Sequence, residues 1–360
     1  MRSMENNVFR NFSYLRDEME KKMKVGVIGS GRIGKVHMLS LKQVAQIEIK
    51  AVSDPYIDEE FAKDLEIPVT SKDHKVIMED KEIQAVLICS PTPTHSTLMQ
   101  EAAINRKHIF CEKPVDLDVK QVMKTLDFID ENEVFFQIGF NRRFDHNFLA
   151  LKEQIKQNKI GKILSTTITS RDPAPPSLQY MGESGGIFKD MTIHDFDMLR
   201  FLTSKEVSTV YVQADVFGDG AIKNVPDFDS ANITLTMEDG SLAFIHNSRE
   251  ASYGYDQRAE ILGESGLLFS HNDRKSKVMS ENHEAKHSQK PKHFFLDRYM
   301  QAYIKEIKTF AHCIQTNTPP ELGRDDALEP LFIAEACLLS ATENRVVSIK
   351  EIKQSYGVQS

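Results

Sequence analysis

The sequence predicts an α/β chain in two parts. First comes a parallel sheet with helices on both faces. An α+β part with a large, mostly antiparallel open sheet follows. Three observations point this way. Between Met23 and Phe140, short apolar runs alternate with helical patterns, as in a parallel sheet covered on both sides. Glycines at 29, 31 and 34 follow the first of those runs. After Phe140 the runs alternate apolar and polar residues and are joined by short turns such as Glu238-Asp-Gly-Ser241, as antiparallel strands with one solvated face are.

The 360 residues suffice for two domains with a core each. The expected divisions are an extension at 1–22, a nucleotide-binding domain at 23–140 and a second domain at 141–360. A net charge of −8 with no long basic run argues against nucleic acid as a partner. No apolar stretch is long enough to span a membrane. Cys89, Cys111, Cys313 and Cys337 are scattered without CxxC spacing, so they read as buried thiols in a reducing, cytoplasmic setting. Residues 1–22 lack the apolar core of a signal peptide. Val8, Phe12, Leu15 and Met19 form a helical stripe, so 7–22 is expected to be an amphipathic helix. It is read as a dispensable extension or upstream start, with a docking helix for another subunit as the alternative.

In the first domain, strands are expected at 24–28, 48–52, 84–89, 108–111 and 134–138. Helices are expected at 33–43, 96–105 and 118–132. The first strand runs into Gly29, Gly31 and Gly34, and Asp54 lies twenty positions after Gly34. Gly29 permits a tight turn, Gly31 lets backbone N–H groups approach a pyrophosphate, and Gly34 lets the next helix pack closely. The positive end of that helix then faces the phosphates. This is the Rossmann dinucleotide pattern, with Gly29, Ser30, Gly31, Arg32, Ile33, Gly34 and Asp54 as cofactor-binding candidates. Asp54 selects NAD, since a carboxylate bonds the ribose 2′-hydroxyl and repels a 2′-phosphate. Ser53 and Tyr56 offer no cation for that phosphate. Arg32 is close enough in sequence to reach it, but is expected at the pyrophosphate.

Ligands of such sheets bind beyond the carboxyl ends of the strands. That rule adds the loops 90–95 and 112–114. Ser90, Thr92, Thr94 and His95 are candidates to line the cofactor; alternatively Thr94 or Ser96 merely caps the next helix. Glu112 and Lys113 follow a strand in the same way and are cofactor-binding candidates too. The lysine would orient a substrate hydroxyl or join a proton relay, or else be solvated surface.

The second domain should carry strands at 163–171, 207–216, 232–237, 242–247, 258–262 and 266–270. Its helices should lie at 147–158, 191–202, 297–316 and 325–343. The polar stretch 272–293 contains His283, His287 and His293 and reads as a solvated loop rather than a metal site. Asp190 and His194 are four apart, which on a helix puts both on one face. Two readings stand: a carboxylate-assisted general base, or a helix-terminal Asp with a buried histidine.

Val27-Ile-Gly-Ser-Gly-Arg-Ile-Gly34, Cys111-Glu-Lys-Pro114 and Gly139-Phe-Asn-Arg-Arg-Phe-Asp145 resemble the glucose–fructose oxidoreductase/inositol dehydrogenase (Gfo/Idh/MocA) family. The likeness runs from about Met23 to Val347. Narrower marks resemble its inositol dehydrogenases: Ser170-Arg-Asp-Pro-Ala-Pro-Pro176, the stretch 184–198, Tyr253-Gly-Tyr-Asp-Gln-Arg258 and His293-Phe-Phe-Leu-Asp-Arg-Tyr299. The resemblance implies a catalytic group of Lys113, Asp190 and His194. It also implies a cis Lys113–Pro114 bond and a substrate pocket with Arg142, Asp197 and Tyr253 or Tyr255. Asn141 departs from the apolar residue of some members. The implied reaction is NAD-dependent oxidation of a ring hydroxyl of a cyclic polyol, myo-inositol to its 2-ketone, with His194 as base. The rivals are a dehydrogenase for scyllo-inositol or an aldose, and a non-catalytic nucleotide-sensing regulator. A homo-oligomer, a tetramer using the open face of the second sheet, is also implied.

Overall fold

A computed structural model describes residues 22–218 and 220–358. All but the last residue of the expected helix at 7–22 lies outside the described residues. The chain forms two compact units. One contains the chain up to Glu112, Asp127–Gln137 and Tyr303–Glu321; the other contains Lys113–Leu126, Ile138–Ala302 and the chain from Leu322 onward. This division differs from a single boundary at 140 in three stretches, 113–126, 138–140 and 303–321. Among the described residues no helix is long and apolar enough to cross a membrane.

The first sheet is built from β1 (Met23–Ile28), β2 (Ile47–Ser53), β3 (Val69–Ser71), β4 (Ala85–Ile88), β5 (His108–Glu112) and β6 (Phe136–Gly139). Between them lie α1 (Arg32–Leu41), α2 (Glu59–Asp64), α3 (Lys75–Met78), α4 (His95–Ile104) and α5 (Val119–Glu131). The strand order is β3-β2-β1-β4-β5-β6. β1 runs parallel to both β2 and β4, so the winding reverses beside β1, where α/β sheets bind ligands. β1 and β4 are buried almost throughout, which explains their near-continuous apolar sequence. Val25, Val27, Leu87 and Phe110 pack with Met38 and Leu41 of α1 and with Ile307 and Phe310.

α2, β3 and α3 add to the elements expected from the sequence. β3 is largely exposed and lacks the apolar run that marks its neighbours. α2 did leave a local sign: the Asp58 side chain accepts from Phe61 N, and Glu59 and Glu60 occupy the first turn, where acids favour a helix start.

In the second unit, α6 (His146–Lys156) leads to β7 (Ile163–Arg171), α7 (Leu178–Glu183) and a π-helical turn at Phe188–Thr192. α8 (Ile193–Thr203), β8 (Val207–Asp215), β9 (Ser230–Met237), β10 (Leu242–Ser248), β11 (Asp256–Gly263) and β12 (Gly266–Ser270) follow. The chain continues through a hairpin of β13 (Met279–Glu281) and β14 (Lys286–Ser288), then α9 (Phe295–Thr316) and α10 (Arg324–Glu343), to β15 (Val347–Ser348) and α11 (Ile349–Ser355). The seven-stranded order is β12-β11-β7-β10-β9-β8-β15. β7 and β10 are parallel, whereas β10–β9, β9–β8, β7–β11 and β11–β12 are antiparallel.

Alternation sorts the residues between the two faces of this sheet. β10 buries Ala243 and Ile245 and exposes Leu242 and Phe244; α10 packs against β8. The stretch 272–293, expected as loop, holds the exposed β13–β14 hairpin. Among the described residues no group of three or more His, Cys, Asp or Glu could hold a metal ion. The helix expected at 191–202 instead begins as the π-helical turn, and Thr192 Oγ1 donates to Ile187 O, five residues back, at 3.2 Å. A wide turn of this kind is the form that π-bulges take inside helices.

Candidate active site

The glycine loop is shaped by two close approaches. Gly29 has φ +99°, and a Cβ there would lie 2.5 Å from Ser90 N. A Cβ on Gly34 would lie 2.0 Å from Gly29 O, so only glycine lets α1 pack on the turn. Gly31 differs: a Cβ there meets nothing within 4 Å. It is the N-cap of α1, where no side chain caps the helix and no acid occupies the first turn. The result is an open helix N-terminus suited to a pyrophosphate.

Asp54 is tied into this loop. Its Oδ2 accepts from Ser30 N at 2.6 Å and its Oδ1 from Tyr56 N at 2.7 Å. An ionised carboxylate offers about four lone-pair sites, so these two contacts leave room for ribose hydroxyls. These residues fit a bound NAD.

The loop at 90–95 is held mainly by itself. His95 is buried, and its Nε2 meets Ser90 O at 2.7 Å; Ser90 Oγ meets Thr94 Oγ1 at 2.6 Å. His95 therefore braces the loop; Thr92 stays partly exposed. Glu112 likewise meets a protein partner, with Oε1 2.6 Å from Nε2 of the fully buried His37.

The second unit assembles a charged group around Asp190. The Lys113–Pro114 bond is cis. Lys113 Nζ donates to Asp190 O at 2.6 Å and lies 3.6 Å from Asp190 Oδ1. The Tyr180 hydroxyl donates to Oδ1 at 3.0 Å, and Arg249 Nη1 donates to Oδ2 at 3.1 Å. Burial alone would raise the Asp190 carboxyl, but Lys113, Arg249 and the Tyr180 hydroxyl outweigh it and hold the group below its ordinary value.

No hydrogen bond joins His194 to Asp190. The four-residue spacing suggested one, but Asp190 sits in the π-helical turn and its oxygens go to Tyr180 and Arg249. His194 Nδ1 is buried without a partner, and the ring packs edge-on to Phe140 at 5.8 Å. Burial, then the positive charges of Lys113 and Arg142, push its pKa well below the ordinary histidine value. The imidazole is thus neutral near pH 7 and can accept a proton.

Other expected pocket residues are engaged elsewhere. Buried Arg142 donates to Asp195 Oδ1 at 2.7 Å and to Ser170 Oγ at 3.2 Å. Asp197 is 1% exposed, and both its oxygens accept from Arg143 Nε, at 3.1 and 3.0 Å. Arg143 also reaches Asp326 at 2.6 Å. Asp197 is thereby a member of a buried ion-pair network. The Tyr253 hydroxyl donates to Asp256 and accepts from Arg171, while Tyr255 is buried against Phe294 and Tyr299.

Three residues at this site had no role in the sequence reading: Tyr180, Arg249 and Asp172. Burial pushes the Asp172 carboxyl up to about 6, against the pull of Arg142 and Arg249 and with help from Asp190 and Asp195. Asp172 lies inside the quoted 170–176 motif. Arg249 and Tyr180 fall in unpatterned stretches, so only folding reveals them.

A family profile described as an oxidoreductase family with an NAD-binding Rossmann fold matches residues 23–140, and one for the GFO/IDH/MocA C-terminal domain matches 148–269. The chain belongs to the Gfo/Idh/MocA family. It is similar to the myo-inositol 2-dehydrogenase of Thermotoga maritima, with 40% identity over 92% of this chain and 99% of the relative. It is equally similar, at 40% identity over 91% and 99%, to an inositol 2-dehydrogenase of Rhizobium meliloti. A solved scyllo-inositol dehydrogenase from Lactobacillus casei, with bound NAD(H) and scyllo-inositol, matches with a TM-score of 0.84 at 28% identity. That match covers 91% of this chain and 99% of the other. The fold is accordingly a Rossmann-type domain with a parallel sheet plus a domain with a mixed, mostly antiparallel sheet, and the family's cofactor is NAD.

Proposed function

We propose that this chain oxidises a ring hydroxyl of a cyclic polyol with NAD, converting myo-inositol to its 2-ketone. The observation that carries the reading is the neutral His194, its Nδ1 without a partner, in the same half-buried group as the Lys113–Asp190 pair. The similarity to inositol 2-dehydrogenases over nearly the whole chain supports the substrate.

The backbone at 29–34 would hold the cofactor's pyrophosphate, and Asp54 its adenosine ribose. NAD, when bound, supplies the hydride acceptor. His194 takes the proton from the substrate hydroxyl. Lys113 donates a hydrogen bond to the reacting oxygen as negative charge develops there. Asp190 aims the lysine through its main-chain carbonyl and nearby carboxylate. The charges that keep His194 neutral also favour passing its proton onward.

Initial rates of NADH formation on myo-inositol, scyllo-inositol and a panel of aldoses test the reading. The highest kcat/KM is expected for myo-inositol. A higher value for scyllo-inositol would move the assignment to that isomer, and no NADH from any polyol would sink it.

The same reading includes a homo-oligomer, a tetramer assembled through the open face of the second sheet. Leu242, Phe244, Leu262, Leu267 and Phe269 are exposed there, and patches of this kind mark protein contacts. Light scattering should give a mass near four chains. We place the reaction in the cytoplasm, where four free, buried cysteines would remain thiols.

A further inference from the structure

We infer that Arg249 is a positioning residue for the reaction: it clamps the Gly186–Asp190 turn by bridging the carboxylates of Asp190 and Asp227. The inference rests on the polyol dehydrogenase reading.

Arg249 is 1% exposed, an unusual place for a guanidinium. Its Nη1 donates to Asp190 Oδ2 at 3.1 Å and its Nη2 to Asp227 Oδ2 at 3.1 Å. Asp227 holds the start of the same turn, since its Oδ1 accepts from Ile187 N at 2.7 Å. The turn begins at Gly186, with φ +80°, where a Cβ would lie 3.0 Å from Asp227 Oδ1. Asp227 thus grips one end of the turn, Arg249 grips the other, and the two grip each other.

The geometry separates this role from simple charge burial. Asp190 O is the acceptor that receives Lys113 Nζ, so a rotation of the turn redirects the lysine. The groups facing Asp190 are Lys113, Arg249 and Tyr180 on the favourable side, and Asp172 and Asp227 on the unfavourable side. Without Arg249, two carboxylates would remain near Asp190 against one lysine. A buried carboxylate that loses its hydrogen-bonded partner is strongly destabilised in its charged form. Asp190 should then titrate at higher pH and hold Lys113 less firmly.

The test is a double-mutant cycle on kcat, with Arg249→Lys in the wild-type and in the Asp190→Asn background. Lysine keeps the charge but cannot bridge two carboxylates in the planar geometry of a guanidinium. In the wild-type background kcat should fall about tenfold or more, with the acid limb of the pH profile moved upward and NAD affinity unchanged. In the Asp190→Asn background the same substitution should change kcat less than about twofold, because coupled residues do not act additively. Equal losses in both backgrounds, or a wild-type kcat and pH profile for Arg249→Lys, would overturn the inference while leaving the polyol reading intact. A wild-type enzyme that forms no NADH from any polyol overturns both. Should Arg249→Lys fail to fold by circular dichroism, Asp227→Asn replaces it in the cycle. It keeps an oxygen for Ile187 N and removes the charge that holds Arg249, and the same two patterns decide.

Discussion

In the glycine loop, the groups that would meet a ligand are backbone N–H groups from consecutive residues, Gly29 to Gly34, with the Asp54 carboxylate accepting from Ser30 N. Around Asp190 they would be side chains from positions 113, 190 and 194, with Tyr180 and Arg249 bonded to Asp190 and Asp227 behind Arg249. The loop works by leaving side chains out, since a Cβ on Gly34 would collide with the Gly29 backbone. The charged group works by crowding side chains together, so that Lys113 and Arg249 keep Asp190 charged and Lys113 helps keep His194 neutral. The first arrangement suits binding a cofactor that brings its own chemistry. The second suits proton handling, where pKa values must be tuned.

This comparison breaks most visibly at Lys113. Lys113→Ala should lower kcat by about two to four orders of magnitude, the span typical of removing a group that stabilises the reacting oxygen, while NAD binding followed by fluorescence quenching stays unchanged. Loss of NAD affinity in that variant would show that the two regions do not divide the work in this way.

Within the loop, two glycines should behave differently. Gly34→Ala places a methyl group 2.0 Å from Gly29 O. It should cost about 1–3 kcal/mol of stability in denaturant melts, as overpacking does, together with most of the NAD affinity. Gly31→Ala puts its methyl group in open space, so stability should hold within about 0.5 kcal/mol. NAD affinity alone should weaken there, by about tenfold, the equivalent of about 1.4 kcal/mol. Unchanged NAD affinity in Gly31→Ala would mean that the open space at the helix end is not the pyrophosphate site.

The smallest effect is in the pH dependence of stability. His194 has a folded pKa well below its ordinary value because of burial and the charges of Lys113 and Arg142. An unfolded histidine takes up its proton near pH 6.5 and the folded one does not, so the unfolded state binds more protons as pH falls below that value. Stability should therefore drop as the pH is lowered from about 6.5 toward the folded pKa. His194→Gln should flatten this slope in Tm measured against pH. An identical slope in the variant would mean that His194 is not held neutral.

Much of the architecture could be read from the sequence because it is written locally. β7 and β12 were placed at their observed limits, since their alternation shows directly which face is buried. The glycine spacing and Asp54 identified a dinucleotide loop for the same reason. The errors fall where local pattern is weak or tertiary contacts override it. β3 lacks an apolar run. The β13–β14 hairpin is polar and exposed, so its pairing left no hydrophobic period. The hydrogen bonds of His95 to Ser90 and of Asp197 to Arg143 are likewise visible only in the fold.

The sequence by itself determined the two-part architecture, the nucleotide loop and the three residues proposed for catalysis, Lys113, Asp190 and His194. Periodicity and glycine placement act over a few residues, so they survive in a one-dimensional reading. Only the tertiary structure decided what each of those three side chains touches. The π-helical turn separates the partners of Asp190 from His194, and Arg249, 59 positions beyond Asp190, supplies one of the charges that Asp190 meets. Electrostatic partners are chosen by distance in space, and no spacing along the chain records that distance.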